Sequence, residues 1–395
     1  MNRFFTSLRL RAISLGWLCL GVLPLLPGQS TPDSSQQQRH PILRLADRMF
    51  GEEHDPSKPH FLVYPTLAYA PETSLEIGLS ALYLFHAKGD YQNNRLSELN
   101  AFTFFTLEQQ YGLWLDHAVY GDGDRWVSLG RLRWQRFPLL YFGIGPEVPG
   151  EFPAVADADY LLIRERLLRR ILPNFFGGLS IDFQQLYNVD FQLEPENPLP
   201  LPAGADGART LGLGASLVYD SRHNVLNERD AIYAEASFLE YSRIWGSEYT
   251  FRGLTLDLRG FFPTTADKKQ VLAVQAFGNF LGGDRIPFQQ LSLLGNESLL
   301  RGYYTGRYRD RHYLAAQVEY RILPFPFAKR WGAAAFFGAG AVSPTLSAFR
   351  LDQLRPAGGA GIRFLLFPDK DIFVRFDVAF TPEGPNYYFF TGEAF

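Results

Sequence analysis

Cysteine is nearly missing from this chain: Cys19 is the only one in 395 residues. No intrachain disulfide can form, and no cysteine-based metal set can be assembled. Also missing beyond the first 28 residues is any uncharged apolar run approaching the roughly 20 residues that a membrane-spanning helix needs. Excess positive charge is absent too. The 38 Lys and Arg against 41 Asp and Glu leave a formal charge of −3, which excludes the basic footprint of a nucleic-acid partner. The seven histidines are scattered, with no paired spacing such as His-x-x-x-His, so no metal site is predicted. No phosphate loop or dinucleotide pattern follows a strand-like run, so no cofactor is predicted either.

What the chain does have is aromatic residues at 15%, 36 glycines and a fine alternation of apolar and polar positions. Its start reads as an export signal over residues 1–28. Arg3, Arg9 and Arg11 form a positive region without acids, residues 12–26 are apolar, and Pro24, Pro27 and Gly28 break the run. Removing that segment takes away Cys19 and three positive charges, moving the formal balance from −3 to −6. Residues 29–60 are polar and proline-rich at first. A short helical spacing follows (Ile42, Leu43, Leu45, Ala46, Met49, Phe50), so the segment reads as a periplasmic tether with a short helix.

From residue 61 to 395 the dominant period is two. In 371–380, Ile372, Val374, Phe376, Val378 and Phe380 share one face, and Asp371, Phe373, Arg375, Asp377 and Ala379 the other. In 311–322, Leu314, Ala316, Val318, Tyr320 and Ile322 oppose Tyr313, Ala315, Gln317, Glu319 and Arg321. In lipid this alternation turns apolar side chains outward and charges toward a wet lumen, and only a closed sheet satisfies the backbone there. Sixteen such runs can be counted, the last at 386–395, which predicts an all-β fold: a 16-stranded antiparallel transmembrane β-barrel. Long insertions at 138–157, 191–206 and 283–310 fall on one side, and short links on the other. The ambiguous run is 160–171, which also carries helical spacing. As a strand it sends either Arg164 or Glu165 toward lipid.

The stretch 293–310 lies between the eleventh and twelfth runs, too long and polar for a tight hairpin. Its Gly295, then Ser298-Leu299-Leu300-Arg301-Gly302-Tyr303, then Arg309-Asp310, resembles the signature of the sixth extracellular loop in the BamA/TamA superfamily of outer-membrane assembly factors, also called bacterial surface antigens. In that family the loop folds into the lumen and its Arg meets acids of the inner wall. The resemblance implies that Arg301, Gly302 and Tyr303 form the loop motif and that Glu319, on the lumen face of the next strand, is its partner. The family's second acid lies in a Phe-x-Asp-x-Gly pattern on strand thirteen. Here Phe336-Phe337-Gly338-Ala339-Gly340 carries Gly338 instead, so one partner is predicted, with Asp377 or a loop acid left open as a substitute. After the eighth run, Asp220, Arg222 and Asn224 resemble the family's periplasmic turn motif, and terminal Phe395 resembles the aromatic C-terminal signal that barrel-assembly machinery reads.

Family assembly factors carry periplasmic POTRA modules before the barrel, and residues 29–60 are too few to hold one. The resemblance implies a non-enzymatic protein of the bacterial outer membrane that assists insertion or translocation of other proteins. Its partners would be outer-membrane lipid, and client proteins or a periplasmic subunit. The other reading is a passive pore or structural barrel that has lost the assembly role. A barrel enzyme acting on lipid would need a nucleophile–base pair on neighbouring strands, and no sequence feature singles one out.

Overall fold

The computed structural model describes residues 59–90, 94–149, 153–193, 200–222, 227–368 and 371–395. The export signal, nearly all of the tether, and Asn224 of the turn motif lie outside them. Sixteen long strands run His60–Ala70 (β1), Ser74–His86 (β2), Leu96–Thr106 (β3), Tyr111–Gly121 (β4), Trp126–Arg136 (β5), Ala154–Leu172 (β6), Phe175–Gln192 (β7) and Ala208–Asp220 (β8). They continue as Ala231–Tyr241 (β9), Phe251–Pro263 (β10), Gln270–Gly282 (β11), His312–Ile322 (β12), Trp331–Ser343 (β13), Arg355–Phe367 (β14), Ile372–Thr381 (β15) and Gly384–Thr391 (β16). Each pairs antiparallel with its chain neighbours, and β16 returns to β1, closing the sheet into a barrel.

The burial pattern is inverted relative to a water-soluble sheet. Along β12, Gln317, Glu319 and Arg321 are buried while Leu314, Val318 and Tyr320 are exposed. A soluble protein gains by hiding those leucines and hydrating those charges. Here the inside of the barrel is the polar side, and the exposed outer face is mostly apolar. No helix among the described residues is long and apolar enough to cross a membrane, which says nothing of crossing by strands. The run at 160–171 lies within β6. Its Arg164 points inward to Asp182, at 2.5 Å, whereas Glu165 points out.

Closure at the seam is uneven. β1 and β2 share eleven paired positions, but β1 and β16 share one, Tyr69 with Phe389. In addition, β16 stops at Thr391 and does not continue to Phe395. Gly392, at φ 89°, adopts a left-handed conformation that glycine tolerates without a Cβ clash and turns the chain off the wall. The last residues then cross the lumen. Glu393 reaches Arg363 on β14, the Phe395 carbonyl oxygen accepts from Arg321 on β12 at 2.9 Å, and the Phe395 ring packs beside Phe261 on β10. Phe395 is thus not the last residue of a wall strand.

Candidate functional site: a loop seated in the lumen

The loop between β11 and β12 folds back into the barrel. A three-residue hairpin ladder, Ser292–Leu294 against Tyr308–Asp310, forms its neck. Beyond the neck, Leu294, Leu299, Leu300, Tyr303 and Tyr308 form one apolar cluster with the inward-facing Tyr313, Ala315, Val342 and Ala357. The Asn296 side chain accepts from the N–H groups of Ser298 and Leu299, both at 2.7 Å, and starts the bend. Leu300 (φ 55°) and Gly302 (φ 116°) flank the tip in left-handed conformations. That backbone is disfavoured for leucine, and here the buried Leu300 contacts hold it. The result is that Arg301 projects from the loop against the inner wall.

Arg301 forks between two acids. One guanidinium nitrogen pairs with Glu319 on β12 and the other donates to Asp377 on β15 at 2.5 Å. Its plane lies over the Phe336 ring, 3.6 Å from the centroid. The expectation of a single partner is therefore incomplete. Asp377, two strands further on, supplies the second carboxylate that Gly338 cannot. The acids are shared with other arginines: Arg321 donates to Glu319 at 2.7 Å, and Arg363 and Arg375 donate to Asp377 at 2.6 and 2.9 Å. Glu393 from the chain end joins Arg363 at 2.9 Å. All of these side chains are buried. A guanidinium held between two carboxylates in this way is fixed in direction as well as in charge.

Beside Arg301 the loop touches both sides of the seam. On the β16 side, the Gly302 N–H donates to the Tyr388 hydroxyl at 2.9 Å and its carbonyl accepts from Asn386 at 2.6 Å. Glu383, in the turn before β16, takes Arg307 and the Tyr308 hydroxyl. On the β1 side, Glu72 in the β1–β2 turn accepts from both the N–H and the hydroxyl of Thr305. Burial pushes the Glu72 carboxyl up to about 6 in spite of these donors. Tyr303 donates its hydroxyl to the Pro356 carbonyl on β14 at 2.9 Å. Arg309 is buried over the Tyr141 ring with no carboxylate paired to it among the described residues, and burial pulls its pKa down to about 10.

Sequence reasoning named Arg301, Gly302, Tyr303 and Glu319, and the structure brings them together at one place. It did not name Glu72 or Asn386, and it left Asp377 open. Only Asp377 carried a signal, as a charge on the inward face of an alternating run. Asp220 and Arg222 lie apart from this site. There Arg222 donates to Asp220 at 2.9 and 3.1 Å and stacks on Tyr233.

A sixteen-stranded barrel whose loop after the eleventh strand seats an arginine against inner-wall acids defines a class of barrel with a loop folded into its lumen. Residues 174–382 match the Omp85 superfamily domain, and the chain belongs to that superfamily. Its fold is similar to that of BamA from Haemophilus ducreyi lacking POTRA domains 1–3, at 15% identity and a TM-score of 0.55, over 85% of this chain and 70% of that one. It is similar as well to CdiB from Acinetobacter baumannii (9%, TM-score 0.54, 85% and 65%) and CdiB from Escherichia coli (10%, TM-score 0.55, 88% and 68%). The chain thus spans 65 to 70% of the length of these three structures. No curated protein matches it in sequence.

Proposed function

We propose that this protein is a non-enzymatic barrel of the bacterial outer membrane that assists the insertion or translocation of other polypeptides at its seam. Residues 1–28 serve as its export signal and 29–60 as a periplasmic tether. The long-loop end then faces outward and the short-turn end the periplasm. The observation that carries this reading is the mismatch at the seam. A single registered pair joins β1 to β16, while the lumen loop holds β16 through Gly302 and the β1–β2 turn through Thr305. A sheet edge with little strand pairing can accept an incoming strand by backbone hydrogen bonds. The loop sets when that edge is closed. Outer-membrane lipid, client barrels and a periplasmic subunit are the partners this role calls for.

The test is a disulfide between Tyr69→Cys and Phe389→Cys, the one registered pair. Locking them together is expected to stop client assembly and reduction to restore it. A locked barrel that assembles clients at the normal rate would refute the proposal. Conductance in planar bilayers addresses the passive-pore reading. With Arg301 and the chain end across the lumen, low conductance is expected, rising in Arg301→Ala.

A further inference from the structure

Three polar side chains meet on the outer wall. His117 on β4, Gly130 on β5 and Glu165 on β6 are paired directly across three strands. The same row continues to Leu99 and Ile181, both exposed, which marks it as the apolar face. Ser128 donates to Glu165 Oε1 at 2.7 Å and lies 3.0 Å from His117 Nε2, which is itself 3.4 Å from Glu165. The site is built around an absence. A Cβ on Gly130 would overlap both the His117 ring and the Glu165 carboxylate, so only glycine lets the two heads meet over that strand. Exposed Leu115, Ile163 and Leu167 surround the trio. Two outward positions further along β6, Arg169 lies over the Trp126 ring, an arrangement suited to the membrane interface. The trio therefore lies within the span and above that interface.

An ionisable pair facing hydrocarbon is costly and marks a site by default. It is not arranged as a hydrolase. The carboxylate sits on the Nε2 side of the imidazole together with the serine and does not orient the ring from Nδ1. What distinguishes the patch is that it carries an acid and a base side by side and is therefore complementary to itself.

We propose that this patch is where a second copy of the same chain docks within the bilayer. Two copies inserted in the same direction can be related only by an axis along the membrane normal, which exchanges left and right at constant depth. Such an axis opposite Gly130 sets each His117 against the other copy's Glu165, as an isologous contact requires. The missing side chain at Gly130 lets the two walls approach. In lipid, apolar contact supplies no driving force, so small residues and polar pairs determine where barrel walls meet.

The inference rests on the membrane placement proposed above, and the experiment separates the two. Leu132→Cys, two residues along β5 from Gly130 on the same face, is placed in a Cys19→Ser background, and outer membranes are oxidised. A disulfide-linked dimer is expected. It should fall at least tenfold in His117→Glu and in Glu165→His, each checked for barrel folding by heat-modifiable migration. It should return in the exchanged variant His117→Glu/Glu165→His, and as a heterodimer when the two single variants are co-expressed. A chain that floats with membranes but yields no cross-link, or one whose cross-link ignores these charges, overturns this inference alone. A chain that does not float with membranes overturns the placement and this inference with it.

Discussion

The Glu72 carboxylate accepts both the N–H and the hydroxyl of Thr305, at 2.6 and 2.8 Å, and so joins the β1–β2 turn to a loop that also holds β16 through Gly302. This contact is a tie across the seam that does not depend on strand pairing.

Its strength is expected to depend on pH. Burial, with a smaller push from Glu297, raises the Glu72 carboxyl to about 6 from an ordinary 4.5. The seated loop therefore holds a proton that the released loop gives up. Seating is favoured at pH 5 and loses about 2 kcal/mol as pH rises from 4.5 through 6. Hydrogen exchange at Thr305, corrected for intrinsic rate, should be slower at pH 5 than at pH 8, and Glu72→Gln should flatten the difference. Equal protection at both pH values in the unaltered protein would count against it.

Removing the arginine should cost far more. Arg301→Ala leaves Glu319 and Asp377 buried without the cation between them, a loss of about 3 kcal/mol or more. Arg301→Lys keeps the charge but not the fork, and should fall between. The urea midpoint of the heat-modifiable folded form measures both. The double variant Arg301→Ala/Glu319→Ala should lose less than the two single losses added together. Strict additivity would show that the pair is not coupled.

Restoring the family acid on β13 should harm the protein. A Cβ on Gly338 would sit 2.7 Å from the Ala316 carbonyl oxygen, 2.8 Å from Gln317 Cβ and 3.0 Å from a Leu300 methyl. The first of these is backbone and cannot yield. Gly338→Asp is expected to unseat Leu300 and lower stability by about 1–3 kcal/mol through overpacking. A variant as stable as the parent would mean that the space beside Leu300 is not needed.

The fold was legible because period-two alternation is local: Glu319 and Arg321 against Val318 and Tyr320 show which face is wet. The Arg301–Glu319 pair was legible through a motif and an adjacent strand. Asp377 was not, because its place beside Arg301 depends on registers accumulated across β12 to β15, which no single strand records. Glu165 and Arg164 could not be sorted, since a charge on each face leaves alternation silent, and only Asp182 on β7 breaks the tie. The meeting of His117, Ser128 and Glu165 joins three strands and was hidden for the same reason. The turn at Gly392 had a weak local mark in the glycine itself, outweighed by the aromatic residues around it.

The contacts of the lumen loop also impose an order of events. Its arginine needs Asp377 from β15, and its Gly302 needs Asn386 and Tyr388 from β16. None of these exists as a docking point until the final two strands are in place, although the loop itself precedes five of the sixteen. Seating is therefore a late step that reports completion. A barrel that lacks its last hairpin therefore offers the loop none of these docking points.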